Sequence, residues 1–168
     1  GEDATQEVEW SNFTINDNLY EEVDTCRFTT KEYKPSVGDE IVITDKGDKI
    51  FGGFIAKVKK KRRTNVFNEF RITAKDYTAW VNKRRPAESY ENETIENIIA
   101  DLQSKYLPSF TLENVNATTT LDSFIADRET MGEIFNKLAN KINYNWYIDY
   151  DKGIHFFAEG DEVGPKVT

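Results

Sequence analysis

The sequence has few of the residues on which redox, metal and nucleophilic chemistry most often depend. Its 168 residues include one cysteine, Cys26, one histidine, His155, and one methionine, Met131. A single cysteine excludes an internal disulfide and any zinc or iron–sulfur site rich in thiolates. With only one histidine, a zinc site would have to consist mostly of carboxylates, which is uncommon. We therefore expect neither a metal ion nor another cofactor.

Long apolar runs are also absent. No stretch approaches the roughly 18 apolar residues of a membrane-spanning helix, and no charged and then apolar leader stands at the N-terminus. We expect no membrane-spanning segment. The composition is 38% hydrophobic and 13% aromatic, which supplies enough large side chains for a buried core. The length suits one domain or two small ones.

Both ends of the sequence have the features of a fragment. The only methionine is Met131, so Gly1 is not a natural translation start. We expect residues 1–6 to be a tag remnant or the cut edge of a longer protein. The final residues contain turn formers and no packed element, so we expect residues 161–168 to begin a further domain.

From Glu7 to Lys75 the sequence alternates between apolar and polar positions, which is typical of β-strands, and we place the first domain at residues 7–85. About five short strands with no long helix between them predict a small antiparallel β-barrel or sandwich. Turn residues at 45–48 and 61–65 predict two hairpin loops. In the two strands flanking the second loop, the alternation predicts these buried residues: Phe54, Ala56 and Val58, then Phe70, Ile72 and Ala74.

The second half changes to a helical period. Apolar residues between Ile95 and Tyr106 share one helical face, and the spacing of Thr130 and Glu133 is that of a capping box that begins a second helix. Alternation from Tyr144 to Ala158 around the turn DYDKG predicts a hairpin. The predicted fold class is α+β: a small antiparallel β-barrel followed by a helix-plus-β-hairpin domain at residues 86–160.

A basic run stands out in a chain whose formal net charge is −8, because residues 57–63 hold six positive charges. Clustered Lys and Arg bind nucleic acid through counterion release, and single-strand binders interleave aromatic residues for stacking. This run contains no aromatic residue, and an acidic chain repels a polyanion at long range. The favoured interpretation is the charged end of a strand and its loop, which discourages edge pairing.

No constellation of catalytic or ligating residues is predicted. His155 lies outside any recognisable nucleophile motif, which favours a structural role. Residues 149–153 resemble the opening of a calcium loop, but Ile154 and Gly160 occupy the positions of its turn glycine and its bidentate glutamate. We therefore expect no catalytic, cofactor-binding or metal-binding residues and no enzymatic activity in this chain.

Four stretches carry a family resemblance: the FGGFI strand with the glycine turn before it, Asp76 and Tyr77 closing the next strand, the NETIENII helix start and the WYIDYDKGIHF hairpin. Their order resembles the N-terminal part of tailed-phage baseplate hub and tail-associated proteins. That superfamily includes late control protein D and the hub portion of type VI secretion spike proteins. The resemblance covers nearly the whole chain from Val23 to Phe157.

The resemblance implies a structural component of a phage or prophage tail hub or baseplate, which adapts the tail tube to the tail tip. Such proteins form a homotrimeric ring with two barrels per chain. Because the second barrel is missing, we expect this fragment to be monomeric or weakly associated and the full-length protein to be a trimer. Expected partners are the tail tube or distal tail protein and the tape measure, with no specific nucleic acid. The expected location is the virion tail, assembled in the host cytoplasm.

Two other functions stay open. Similar hubs in some phages of Gram-positive hosts are followed by peptidase or glycosidase domains, so the chain could be the hub region of a virion-associated enzyme that degrades the cell wall. Catalytic residues would then lie beyond Thr168. The second alternative is a nucleic-acid-binding barrel that uses the basic run.

Overall fold

The computed structural model describes residues 3–16, 23–63, 67–158 and 160–161. They divide into two compact units, the first ending at Asp76 and the second beginning at Tyr77. The sequence placed this boundary near Arg85. The difference arises because the short helix that begins at Tyr77 packs against elements of the second unit. Residues 1–2 and 162–168, which belong to the predicted terminal segments, lie outside the described residues.

The first unit is an antiparallel sheet preceded by two 3₁₀ turns, Thr5–Glu7 and Trp10–Asn12. The strand order is β1-β2-β5-β4-β3. Within the described residues no pairing joins β1 to β3, so the antiparallel sheet is confirmed while its closure into a barrel stays a prediction. The strands are β1 (Thr14–Asn16), β2 (Thr25–Lys31), β3 (Glu40–Asp45), β4 (Asp48–Arg63) and β5 (Phe67–Asp76).

The predicted hairpin loops are partly right. Residues 46–47 form the turn between β3 and β4. The second loop is shorter than predicted, because β4 continues through Arg63 and pairs there with Phe67. Residues 64–66 lie outside the part of the chain that the structure describes.

A β-bulge at Ala56 changes which side chains of β4 are buried. The pairing of β4 with β5 shifts between Ile55 and Lys57, so Ala56 is the extra residue. A single extra residue reverses the alternation that follows it. The prediction for β4 is therefore wrong at Phe54 and Ala56, since Ile55 is buried while Phe54 is half-buried and Ala56 is exposed. Val58, beyond the bulge, is half-buried on the predicted apolar face. The prediction for β5 is confirmed, since Phe70, Ile72 and Ala74 are buried.

Gly53 allows β4 and β5 to approach closely just before the bulge. A Cβ atom at this position would lie 2.1 Å from the carbonyl oxygen of Lys75 and 2.7 Å from the Cα of Asp76. Both contacts are with backbone, which cannot rotate away as a flexible side chain could. The glycine is therefore required by the pairing itself.

Within its described residues, the second unit contains three helices and two small sheets, ordered β7-β10-β9 and β6-β8. β10 pairs with β9 as the predicted antiparallel hairpin and with β7 in parallel. The elements are α1 (Tyr77–Val81), β6 (Ala87–Thr94), α2 (Ile95–Tyr106), β7 (Thr111–Val115), β8 (Thr120–Asp127), α3 (Met131–Ile142), β9 (Tyr144–Ile148) and β10 (Gly153–Ala158).

The two longer helices confirm their predicted buried faces, and α3 also confirms its predicted cap. Thr130 and Glu133 form the capping box at the start of α3, and Thr94 accepts a hydrogen bond from the Asn97 N–H at the start of α2. Phe135 of α3 is fully buried and meets Trp146 of β9 edge to face, with ring centroids 5.2 Å apart. None of the helices in the described ranges is long and apolar enough to span a membrane.

The close approach at Gly53 generates a stability prediction. We expect Gly53→Ala to lower the free energy of unfolding by about 1 to 3 kcal/mol, because the added methyl group forces backbone apart. Chemical denaturation measures the loss as a lower midpoint with an unchanged slope. Ala56→Ser, at the exposed bulge three residues later, is the control and should leave the midpoint unchanged. A Gly53→Ala midpoint equal to that of the parent would contradict the β4–β5 pairing described here.

Candidate functional site

The sheet of the first unit has an apolar face and a polar face. Residues directly opposite each other in an antiparallel pair project to the same side of the sheet. On the apolar side, Cys26 and Ile55 both lie opposite Ala74, and all three are buried. The polar side carries two rows across β2, β5 and β4: Arg27, Thr73 and Lys57 in the first, and Thr29, Arg71 and Lys59 in the second.

A groove of about 730 Å³ includes both rows in its lining. We call it the cationic groove, because Arg27, Lys57, Lys59 and Arg71 all line it. Ser11 and Asn12, from the 3₁₀ turn before β1, contribute neutral polar groups to the lining. Glu9 and Glu69 add two carboxylates, of which Glu69 is only 7% exposed.

Among the described residues, the lining of the cationic groove carries a net positive charge, because it has four cations and two carboxylates. Within the described residues, none of its four cations forms an ion pair. Glu9 instead accepts a hydrogen bond from Asn12 at 3.1 Å and lies 3.7 Å from Lys31. Lys59 and Arg71 are direct cross-strand partners, and like charges in that arrangement repel each other. The groove thus concentrates positive charge on a chain that is acidic overall.

The basic run 57–63 lies entirely in β4, which confirms that it belongs to a strand. Only part of it faces the groove. Lys57 and Lys59 are on the polar face, whereas Val58 pairs on the apolar face with Ile72. Lys60 is exposed, and the side chains of residues 61–63 lie outside what the structure describes.

His155 belongs to a polar cluster at the β9–β10 turn. Its Nε2 lies 2.8 Å from Oδ2 of Asp149, and its Nδ1 lies 3.3 Å from the side-chain nitrogen Nδ2 of Asn114. The imidazole ring stacks on Tyr147 with a centroid separation of 4.4 Å. Every one of these contacts fixes the position of the ring, as the predicted structural role requires.

Asp149 is the centre of the same turn. Its Oδ1 accepts hydrogen bonds from the backbone N–H groups of Asp151 and Gly153, at 2.8 and 2.7 Å. Burial raises the pKa of Asp149, but the hydrogen bonds from His155, Gly153 and Asp151 outweigh burial and hold this pKa below its usual value. These contacts account for the residues that resemble a calcium loop. Among the described residues, no group of three or more His, Cys, Asp or Glu side chains could hold a metal ion.

The lone cysteine is a core residue. Cys26 is fully buried on the apolar face of the sheet, and burial raises the pKa of its thiol to about 12. A thiol in this state has almost no thiolate at neutral pH and is therefore a poor nucleophile.

Sequence reasoning found the basic run but not the cationic groove. Two of the four cations, Arg27 and Arg71, come from other strands. Their alignment with Lys57 and Lys59 depends on cross-strand register and on the bulge at Ala56, neither of which a periodic pattern reveals. The sequence signal that points to the groove is the set of polar residues that alternate with the buried ones in β5, among them Arg71 and Thr73.

The Asp149 cluster generates a pH prediction. The folded-state pKa of Asp149 is below its unfolded value of about 3.9, so its contribution to stability is complete above that pH and is lost as pH falls through the folded pKa. We expect Asp149→Asn to lower the free energy of unfolding at neutral pH. Under strongly acidic conditions the free energies of unfolding of the variant and the parent should become similar. Denaturation over this pH range measures the difference.

Asp122→Asn is the matched control for this experiment, since Asp122 is exposed. The control should follow the parent at every pH. A difference between the parent and Asp149→Asn that stays constant as pH falls would show that the charge on Asp149 plays no part.

Comparisons with known proteins were made by sequence and by structure. No protein-family model matches the chain, and no curated protein matches it. Solved structures do. The 43 kDa tail protein of prophage MuSo2 from Shewanella oneidensis is 12% identical with a TM-score of 0.64, and the match covers 80% of this chain and 46% of that chain.

Two further structures match over more of the chain. Prophage tail protein gp18 from Listeria monocytogenes EGD-e is 11% identical with a TM-score of 0.66, covering 94% of this chain and 47% of that one. The Escherichia coli c3393 protein is 9% identical with a TM-score of 0.67, and the match covers 94% of this chain and 50% of that one. It is described as a component of the type VI secretion system with structural similarity to the T4 bacteriophage tail proteins gp27 and gp5.

The chain spans about half the length of each of these solved chains. It therefore has the fold of one part of these phage-tail and type VI secretion proteins, and the resemblance seen in the sequence is confirmed at the level of the fold.

Proposed function

We propose that this chain is a structural component of a phage or prophage tail, located in the hub or baseplate, where it adapts the tail tube to the tail tip. The observation that carries the proposal is the fold similarity to phage tail proteins over as much as 94% of the chain. Similarity to a type VI secretion component supports the same assignment. The similarity is one of fold, since the sequence identities to these three structures are 9 to 12%.

The proposal includes a role for each unit. The first unit, which ends at Asp76, would act as the tube-like domain that the sequence placed at residues 7–85, with its five-stranded sheet curling as part of a barrel. The second unit, which begins at Tyr77, would be the α+β domain that the sequence placed at residues 86–160. The full-length protein would assemble as a homotrimer, and its neighbours would be the tail tube or distal tail protein and the tape measure.

The proposed role is architectural and not enzymatic. The similar solved structures are named as tail or secretion components. His155 is held by Asp149 and Asn114, and Cys26 lies in the core. The most reactive side-chain types in the chain therefore already have structural roles.

A genetic experiment tests the proposal. We expect a nonsense mutation in this gene, in the phage or prophage that encodes it, to give filled heads without functional tails. A tail hub is required to begin tail assembly, so heads should be unaffected. Electron microscopy of the particles measures the outcome, and a suppressor host that restores the full-length chain is the control. Complete infectious tails in particles that lack the protein would contradict the proposal.

Affinity purification identifies the neighbours. Capture of the full-length protein from infected cells should recover the tail tube or distal tail protein and the tape measure. Recovery of capsid proteins in their place would contradict a role in the tail.

A further inference from the structure

We propose that the cationic groove binds an extended acidic segment of a partner protein. The proposal rests on the geometry of the first unit alone and does not depend on the tail role. The occupant is defined by its chemistry: a β-like polypeptide whose alternate side chains are carboxylates.

The first argument is spacing. Lys57 and Lys59 are alternate residues of β4, so their Cα atoms are about 6.8 Å apart along the strand. An extended peptide carries its alternate side chains at the same interval. A segment lying parallel to β4 would therefore place successive carboxylates over successive rows of the groove. Arg71, opposite Lys59, and Arg27, in the row of Lys57, supply a second cation for each carboxylate.

The second argument is the repulsion between like charges in the groove. Lys59 and Arg71 are direct cross-strand neighbours with no ion pair among the described residues. Their mutual repulsion costs stability in the free protein. A bound carboxylate would remove that repulsion and would accept hydrogen bonds from the guanidinium group in a two-pronged arrangement. Binding therefore gains free energy both from the new contacts and from the relief of the old repulsion.

The third argument distinguishes a polypeptide from a nucleic acid. The lining includes the carboxylates of Glu9 and Glu69, which repel a continuous phosphate backbone but tolerate a peptide that carries N–H donors between its acidic side chains. Ser11 and Asn12 offer neutral hydrogen-bonding groups of the kind that pair with peptide backbone. Among the side chains that the structure describes, the one aromatic residue in the lining is Phe28, which is only 7% exposed and offers no platform for base stacking.

The size of the groove agrees with a short segment. Its volume of about 730 Å³ is within the range of roughly 300 to 1,000 Å³ that is typical of ligand sites. The net charge of −8 repels an acidic segment at long range, so the affinity must come from the short-range contacts with the four cations of the groove.

A binding experiment tests the proposal. The probe is dye-labelled hexaglutamate, titrated with the protein at low and at physiological salt, with fluorescence anisotropy as the readout. We expect saturable binding that weakens as salt is added. Arg71→Glu should weaken it by about tenfold or more, because the variant loses a charge-assisted hydrogen bond and adds a repulsive carboxylate. Arg71→Lys keeps the charge but not the two-pronged contact, so it should lose less affinity than Arg71→Glu.

Lys46→Glu is the matched control. Lys46 lies in the turn between β3 and β4, outside the groove, and its reversal changes the net charge by the same amount as Arg71→Glu. We expect its affinity to stay within about twofold of the parent, since its charge is exposed and screened. Lys57→Glu provides a second groove variant should Arg71→Glu fail to fold.

Three outcomes would overturn the proposal. The first is a lack of saturable hexaglutamate binding even at low salt. The second is a loss of affinity in the control Lys46→Glu as large as in Arg71→Glu, which would make the interaction a matter of net charge alone. The third is tighter binding of an oligothymidine of matching length that is lost in the same variants, which would make the groove a nucleic-acid site.

Discussion

The pairing of β4 with β5 is the constraint on which the first unit depends. β4 is sixteen residues long and lies between β5 and β3, so its register fixes which side chains of the sheet are buried. Gly53 permits the close approach of the β5 backbone, and the bulge at Ala56 follows immediately. Together these two features place Ile55 in the core and Lys57 and Lys59 on the opposite face. The cationic groove is therefore a consequence of how two strands meet.

The second unit is organised around β10. This strand pairs with β9 on one side and β7 on the other, and α3 packs on β9 through the contact of Phe135 with Trp146. The turn that joins β9 to β10 is held by the carboxylate of Asp149, which combines backbone hydrogen bonds with a side-chain partner in His155. A buried polar group is stable only when its hydrogen bonds are made, and this cluster makes them within one turn.

Elements with a strong apolar period could be predicted from the sequence, and those held by polar contacts could not. The apolar residues at helical spacing in α3 and the alternation of apolar and polar residues in β5 predicted both elements and their buried faces. β6 was missed because polar groups join it to α2: Tyr90 donates to Asp101 at 2.8 Å, and Lys105 donates to Glu88 at 2.9 Å. β7 was missed because its partner β10 follows only after β8, α3 and β9, so the pairing leaves no local pattern. The cationic groove is formed by three strands and a β-bulge. A periodic pattern within one strand predicts neither the pairing of the strands nor the bulge.

The central claim is that this fold serves as a part of a phage tail. Fold similarity at low identity does not by itself transfer a function, so the decisive observation is the position of the chain in an assembled particle. A cryo-electron microscopy reconstruction of the tail tip, from the phage that encodes the chain, makes that observation directly. We predict density at the junction of tube and tip that fits the five-stranded sheet with β4 and β5 paired through Gly53, and the three-stranded sheet with α3 beside it. A well-resolved tail tip in which no density fits these two units would contradict the assignment.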